Sequence, residues 1–152
     1  MSEVPVVLFL CIHNSGRSAA ARVLLDHYAE GQIKVFSAGS EPGDRLNPAV
    51  VQILTDRGLD ASREFPKPLA DEIAQAADVI VTMGCGDSCP VYPGTRYLDW
   101  ELEDPAGKSV TEVEPIVDEI DRRVRALMAE LLPGVSLSTS QTLRRGDSSR
   151  GG

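Results

Sequence analysis

The apolar positions fall into short unbroken runs separated by stretches with helical spacing. Val4 to Leu10 (VPVVLFL) is a continuous apolar run, consistent with a strand buried on both faces. Ser18 to Tyr28 (SAAARVLLDHY) has helical spacing, with Val23, Leu24, Ala20 and His27 toward one side. Ile33 to Ala38 (IKVFSA) reads as a second strand, ended by Gly39. Asn47-Pro48 supplies an N-cap and a first-turn proline, and Gly58 is placed to stop the helix that runs through VVQILTDRG.

Pro66 and Pro68 mark a turn before a short helix, LADEIAQA, and Asp78 to Met83 (DVIVTM) is a third strand. A loop rich in glycine, proline and cysteine follows, and Arg96 to Trp100 is a short fourth strand. Ser109 and Thr111 each have a glutamate three residues on, so either can form a capping box. From there EVEPIVDEIDRRVRALMAELL is amphipathic, with Ile116, Ile120, Val124, Leu127 and Leu131 on its core stripe. The alternation predicts an α/β fold, a single domain over residues 1–132 with a parallel sheet and helices on both faces. Ligands of such sheets bind beyond the carboxyl ends of the strands, which puts the loops after Cys11, around Cys85 and around Asp104 at one edge. After Pro133 periodicity stops, and residues 133–152 are expected to form a disordered tail.

Charge narrows the function. The net charge is −8. A surface of that sign repels nucleic acid and anionic membranes, so neither is an expected partner. Any anion site must be locally strong. No apolar run is long enough to span a bilayer and no leader pattern is visible, so a cytoplasmic location is expected. The three cysteines, Cys11, Cys85 and Cys89, are too few and odd in number for a secreted disulfide scaffold. They read as reactive groups, metal ligands or core filler.

The stretch LFLCIHNSGRSAAA separates these possibilities for Cys11. Between a strand and a helix N-terminus, Ile12, His13, Asn14, Ser15, Gly16 and Arg17 can turn backbone N–H groups inward as a nest for a tetrahedral oxyanion. Gly16 permits close approach, Asn14 tolerates left-handed backbone, and Arg17 clamps two oxygens. The same field favours a thiolate at Cys11, and the Ser18 hydroxyl can donate to it. The plain alternative is a buried cysteine with an arginine nearby by chance. His13 reads as a loop residue of the nest and not as a base, since a cradle-activated thiolate needs none. His27 reads as a surface histidine.

CIHNSGRS resembles the Cys-x5-Arg-Ser loop of the low-molecular-weight protein tyrosine phosphatases and of the arsenate reductases that share their fold. The resemblance covers about residues 4 to 132 and implies that fold. It also implies Cys11 as nucleophile, Arg17 as anion clamp and Ser18 as thiolate donor. Asp104, in LEDPAGKS, resembles the general-acid position, with Asp99 the second candidate. Ala-Gly-Lys follows Pro105 where the phosphatases present tyrosines, which argues against phosphotyrosine as substrate. TMGCGDSCPVYPG supplies two further thiols, and the layout resembles the three-cysteine, thioredoxin-coupled arsenate reductases, some of which space the last pair more widely. The implied activity is reduction of arsenate to arsenite through a Cys11–Cys85–Cys89 relay. Thioredoxin is the expected reductant with a small thiol as alternative, phosphate and sulfate are expected as weak competitors, and no cofactor or metal is implied. The remaining readings are a phosphatase with incidental thiols and a non-catalytic metalloid or zinc sensor; two cysteines are too few to close a zinc site.

Overall fold

The computed structural model describes residues 4–84 and 94–132. Cys85, Cys89 and the tail expected over 133–152 lie outside the described residues. In chain order the elements are β1 (Val6–Cys11), α1 (Arg17–Ala29), β2 (Lys34–Gly39), α2 (Pro48–Asp56), α3 (Asp71–Ala76), β3 (Val79–Thr82), β4 (Arg96–Asp99) and α4 (Val110–Leu131). The strands form one sheet in the order β2-β1-β3-β4, and every pairing is parallel.

The apolar run of β1 is explained by its central place. Val7, Phe9 and Cys11 point into a core shared with α1, α2 and α4, while Leu8 and Leu10 point into a smaller core with Ala74 of α3. Successive side chains on a strand face opposite ways, so a strand covered on both faces must be apolar throughout. Trp100, just past β4, closes the larger core against Phe9, with ring centroids 5.7 Å apart.

The punctuation works as the sequence indicates. Asn47 Oδ1 accepts the N–H groups of Ala49 and Val50 at 2.9 and 3.1 Å. Beyond α2 the N–H of Leu59 bonds to Leu54 O and that of Gly58 to Thr55 O, a Schellman ending with Gly58 at φ 79°. Of the two possible capping boxes the chain uses Ser109 with Glu112.

One expectation needs correcting. Helix α1 is not one-sided: Ala21 and Leu25 are buried as fully as Ala20 and Leu24, while His27 is exposed. It lies between the sheet and α4, so only Arg22, Asp26 and His27 with their neighbours reach solvent. Among the described residues no helix is long and apolar enough to cross a membrane.

Because all four strands run the same way, the segments after β1, β3 and β4 emerge at one edge. The chemistry lies there.

Candidate active site

Strand β1 ends at Cys11 and α1 begins at Arg17, leaving five residues to make the loop. A comb of backbone bonds from the segment after β2 shapes it. Ser40, Glu41, Gly43 and Asn47 donate their N–H groups to the carbonyls of Cys11, Ile12, His13 and Ser15 at 3.2, 2.8, 2.9 and 2.6 Å. In a trans peptide the N–H points opposite to the C=O. Pulling these carbonyls outward therefore turns the N–H groups of Ile12, His13, Asn14 and Gly16 inward, as an oxyanion nest requires. Gly39 permits this approach, since a Cβ there would stand 2.6 Å from Ile12 O and 3.0 Å from Asn14 N.

The Cys11 sulfur sits at the base, buried, with two donors on it. The Asn14 N–H reaches Sγ at 3.2 Å and Ser18 Oγ lies 2.9 Å away. Asn14 takes the left-handed conformation (φ 51°) that the sequence anticipates, but it is 0% exposed and lies behind the cradle instead of lining it. Its amide is fixed by its partners: Oδ1 accepts from Lys67 N at 3.0 Å and Lys67 Nζ at 3.1 Å, so Nδ2 must face Ser18 Oγ, 2.8 Å away. Ser18 Oγ thus accepts from Asn14 and keeps its own hydrogen for the sulfur, which suits a thiolate.

Above the sulfur is a cleft of about 280 Å³ lined by Cys11, His13, Ser15, Gly16, Arg17, Asn47, Asp104, Pro105 and Ala106. That volume includes open solvent at its mouth; the enclosed part is far smaller, a space for a small ion and not for a drug-sized ligand. The Arg17 side chain is only 9% exposed; NH1 donates to Leu102 O at 3.4 Å and NH2 lies 3.8 Å from Asp104 Oδ2. Gly84, at φ 95°, packs directly on the guanidinium. Asp104 is 57% exposed and accepts the Ala106 N–H at 3.0 Å, while Pro105 seats on Gly16, where a Cβ would come 2.7 Å from its Cγ.

The structure thus brings Cys11, His13, Ser15, Gly16, Arg17 and Asp104 around one cleft, with Ser18 and Asn14 behind the sulfur. Ile12 does not line it and contributes backbone. His13 is pinned by Nδ1 to Glu41 O at 2.9 Å. Asp99, the second acid candidate, is not a lining residue; its Oδ1 takes the Thr82 hydroxyl at 2.7 Å. Among the described residues no group of three or more His, Cys, Asp or Glu is arranged to hold a metal ion.

Sequence reasoning missed the layer beneath the cradle. Lys67 Nζ, Ser37 Oγ and Glu64 Oε2 meet there, with Ser37 donating to Glu64 at 2.5 Å and Arg22 Nε 3.4 Å from Glu64 Oε1. Burial pushes the Lys67 ammonium below the ordinary lysine value, against the opposing pull of Glu64. Ser37, a polar residue inside an apolar strand run, was the available signal, because a buried hydroxyl demands a partner.

The family described as low molecular weight phosphotyrosine protein phosphatase matches residues 6–136. An arsenate reductase of Bacillus subtilis is 34% identical over 133 residues, covering 81% of this chain and 94% of that one. A glutaredoxin arsenate reductase of Synechocystis is 31% identical over 128 residues, covering 82% and 97%. The solved thioredoxin-dependent arsenate reductase of Corynebacterium glutamicum is 50% identical with a TM-score of 0.76 over 86% of this chain; this chain spans 63% of that longer one. With the cradle, the parallel sheet and these similarities in agreement, the chain belongs to the low molecular weight phosphotyrosine protein phosphatase family.

Proposed function

We propose that the chain reduces arsenate to arsenite, with Cys11 as nucleophile. The observation that carries this reading is the sulfur itself, held by the Asn14 N–H and the Ser18 hydroxyl at the floor of a small cleft that Arg17 and Asp104 close. Arsenate is a tetrahedral oxyanion of a size such a nest accepts. The cleft wall at Pro105-Ala106 offers no aromatic surface for a phosphotyrosine ring. The relatives named above as arsenate reductases support the same activity.

In this mechanism Arg17 and the loop N–H groups bind arsenate, and the Cys11 thiolate forms a bond to arsenic. An As–O bond breaks as Asp104 supplies the proton with which that oxygen leaves as water. The Cys85 thiolate then attacks Cys11 Sγ. The sulfur–sulfur bond forms as the sulfur–arsenic bond breaks, and its electron pair stays on arsenic, which leaves as arsenite. Cys89 attacks Cys85, freeing Cys11 and leaving a Cys85–Cys89 disulfide. Support for giving Cys85 this role is that it directly follows, in sequence, Gly84, which packs on the Arg17 guanidinium.

An external dithiol closes the cycle. Thioredoxin is our choice because the relative with 50% identity is described as thioredoxin-dependent, and the glutaredoxin-named relative keeps a small-thiol route in the test. The test measures arsenite formed with thioredoxin and its reductase, with glutaredoxin and glutathione, and hydrolysis of an aryl phosphate. Arsenite formation with thioredoxin is expected to dominate. Phosphate-ester hydrolysis without arsenite would make the chain a phosphatase, and neither activity would leave the sensor reading.

A further inference from the structure

The layer beneath the cradle has no role in the mechanism above, yet it is built with care about its polar groups. Four oxygens surround Lys67 Nζ: Phe65 O at 2.7 Å, Ser37 Oγ at 2.9 Å, Asn14 Oδ1 at 3.1 Å and Glu64 Oε2 at 3.3 Å. An ammonium has three hydrogens. The three shortest contacts can take them, leaving Glu64 as a charge partner. The Glu64 side chain is 2% exposed and that of Lys67 27%. Arg22 reaches the other carboxylate oxygen. The group therefore carries two cations and one carboxylate, a surplus of one positive charge behind the thiolate.

We propose that Lys67 is a positioning residue and the built-in counter-charge of the cradle. Its ammonium and its own N–H both hold Asn14 Oδ1, and this fixes the Asn14 amide toward Ser18 and the Asn14 N–H toward Cys11. The left-handed backbone of Asn14 is thereby secured from behind, where substrate never reaches. Burial pushes the ammonium below the ordinary lysine value, and of the charged groups that face it Glu64 opposes that shift most, Arg22 adds to it and Cys11 opposes it least. Glu64, held by Ser37, keeps the lysine in its cage, and Arg22 keeps Glu64 from cancelling its charge.

This rests on the reading of Cys11 as nucleophile, so the test measures Cys11 directly and without arsenate. In a full chain carrying Cys85→Ser and Cys89→Ser, Cys11 is the one thiol, and its alkylation by iodoacetamide is followed across a range of pH. Lys67→Met, which keeps the stem and loses the charge, should slow alkylation at neutral pH about tenfold or more, the scale of losing one hydrogen bond to a charged group. Lys67→Ala should be slowed likewise, and added methylammonium should restore much of its rate while leaving Lys67→Met unchanged, because the Met stem fills the space. Lys67→Gln keeps a donor without the charge and should remain slow; it carries the test if Lys67→Met fails to fold. A parental rate in Lys67→Gln would show the charge to be dispensable and overturn the proposal. So would a parental rate in folded Lys67→Met. A parent no more reactive than a free cysteine would instead sink the nucleophile reading, and this one with it. A reactive parent with unaltered Lys67 variants overturns the Lys67 assignment alone.

Discussion

Ser18→Ala is the sharpest test of how the thiolate is held. The serine is fully buried, its Oγ lies 2.9 Å from Cys11 Sγ, and it receives Asn14 Nδ2 at 2.8 Å. Alanine removes one oxygen and leaves the helix backbone unaltered, since alanine is the best helix former. Two costs follow. The thiolate loses a hydrogen bond to a charged acceptor, worth about 1.5–3 kcal/mol. At 1.4 kcal/mol per factor of ten, that is up to roughly 10- to 100-fold in the rate of attack by the sulfur. Separately, the Asn14 amide is left with a buried donor unsatisfied, a loss of about 1–3 kcal/mol of fold stability. For a domain of this size each kcal/mol lowers Tm by about 2–4 °C.

The two costs separate experimentally. Arg17 and the loop N–H groups are untouched by the change, so KM for arsenate should move little while kcat falls by the factor above. Alkylation of Cys11 at neutral pH should fall in parallel with kcat. A folded Ser18→Ala protein that alkylates within twofold of the parent would refute the hydroxyl as thiolate donor. If KM rose and kcat held, the serine would act on the anion site instead.

Four further outcomes follow from the proposed chemistry. Phosphate or sulfate should compete for the cradle and raise the apparent KM for arsenate; a KM unmoved at high concentrations of both would remove the anion assignment. Asp104→Asn should slow adduct formation by about 10²-fold or more, the usual worth of a general acid. Asp99→Asn should do far less, because that carboxylate is engaged by Thr82; rapid-mixing rates in the opposite order would reassign the acid. Gly84→Ala should raise KM, since its Cβ meets the Arg17 guanidinium and its φ of 95° suits glycine alone, and an unaltered KM would show that Arg17 is not held there. Cys89→Ser should reduce about one equivalent of arsenate, because one pair of thiols holds the two electrons required, and then stop as a Cys11–Cys85 disulfide visible by mass spectrometry. Steady turnover of that variant at the parental rate would leave Cys89 without a role in the relay.

Local signals made most of this fold legible. The run VVLFL names a strand covered on both faces, Asn47-Pro48 names a helix start, and Gly58 names its end, because each rests on chain geometry within a few residues. The cradle was legible for the same reason: Cys11, Arg17 and Ser18 flank one short loop between a strand and a helix. What the sequence concealed comes from distant pieces meeting. Lys67 lies between two prolines and reads as part of a turn, but it reaches Asn14, 53 residues earlier. The comb from Ser40 to Asn47 that turns the loop N–H groups inward leaves no pattern in residue type, since it is made of backbone alone. In helix α1, burial by α4, joined from the far end of the chain, overrides the one-sided spacing of its apolar residues.

The charge of the molecule sets a last constraint on the chemistry. With a net charge of −8 the protein repels its proposed substrate at a distance. Salt limits that repulsion, since at physiological ionic strength charges separated by more than about 8 Å are largely screened. Within the cleft and its floor the balance inverts. Arg17, Arg22 and Lys67 give three positive charges, and Glu64 and Asp104 oppose with two carboxylates. With Asp104 protonated for its part in the reaction, the sum is three less one, or +2, and the Cys11 thiolate lowers it to +1. The N-terminus of α1 adds about half a charge of the same sign. In the proposal above such a site holds a thiolate and an oxyanion together because two cations act on it, Arg17 in the cleft and Lys67 through Asn14 behind the loop. Removing either leaves two negative groups facing each other across a cleft with too little to separate them. Screened by salt, the acidic surface only slows the arrival of arsenate, while the paired cations govern whether thiolate and oxyanion can share the site.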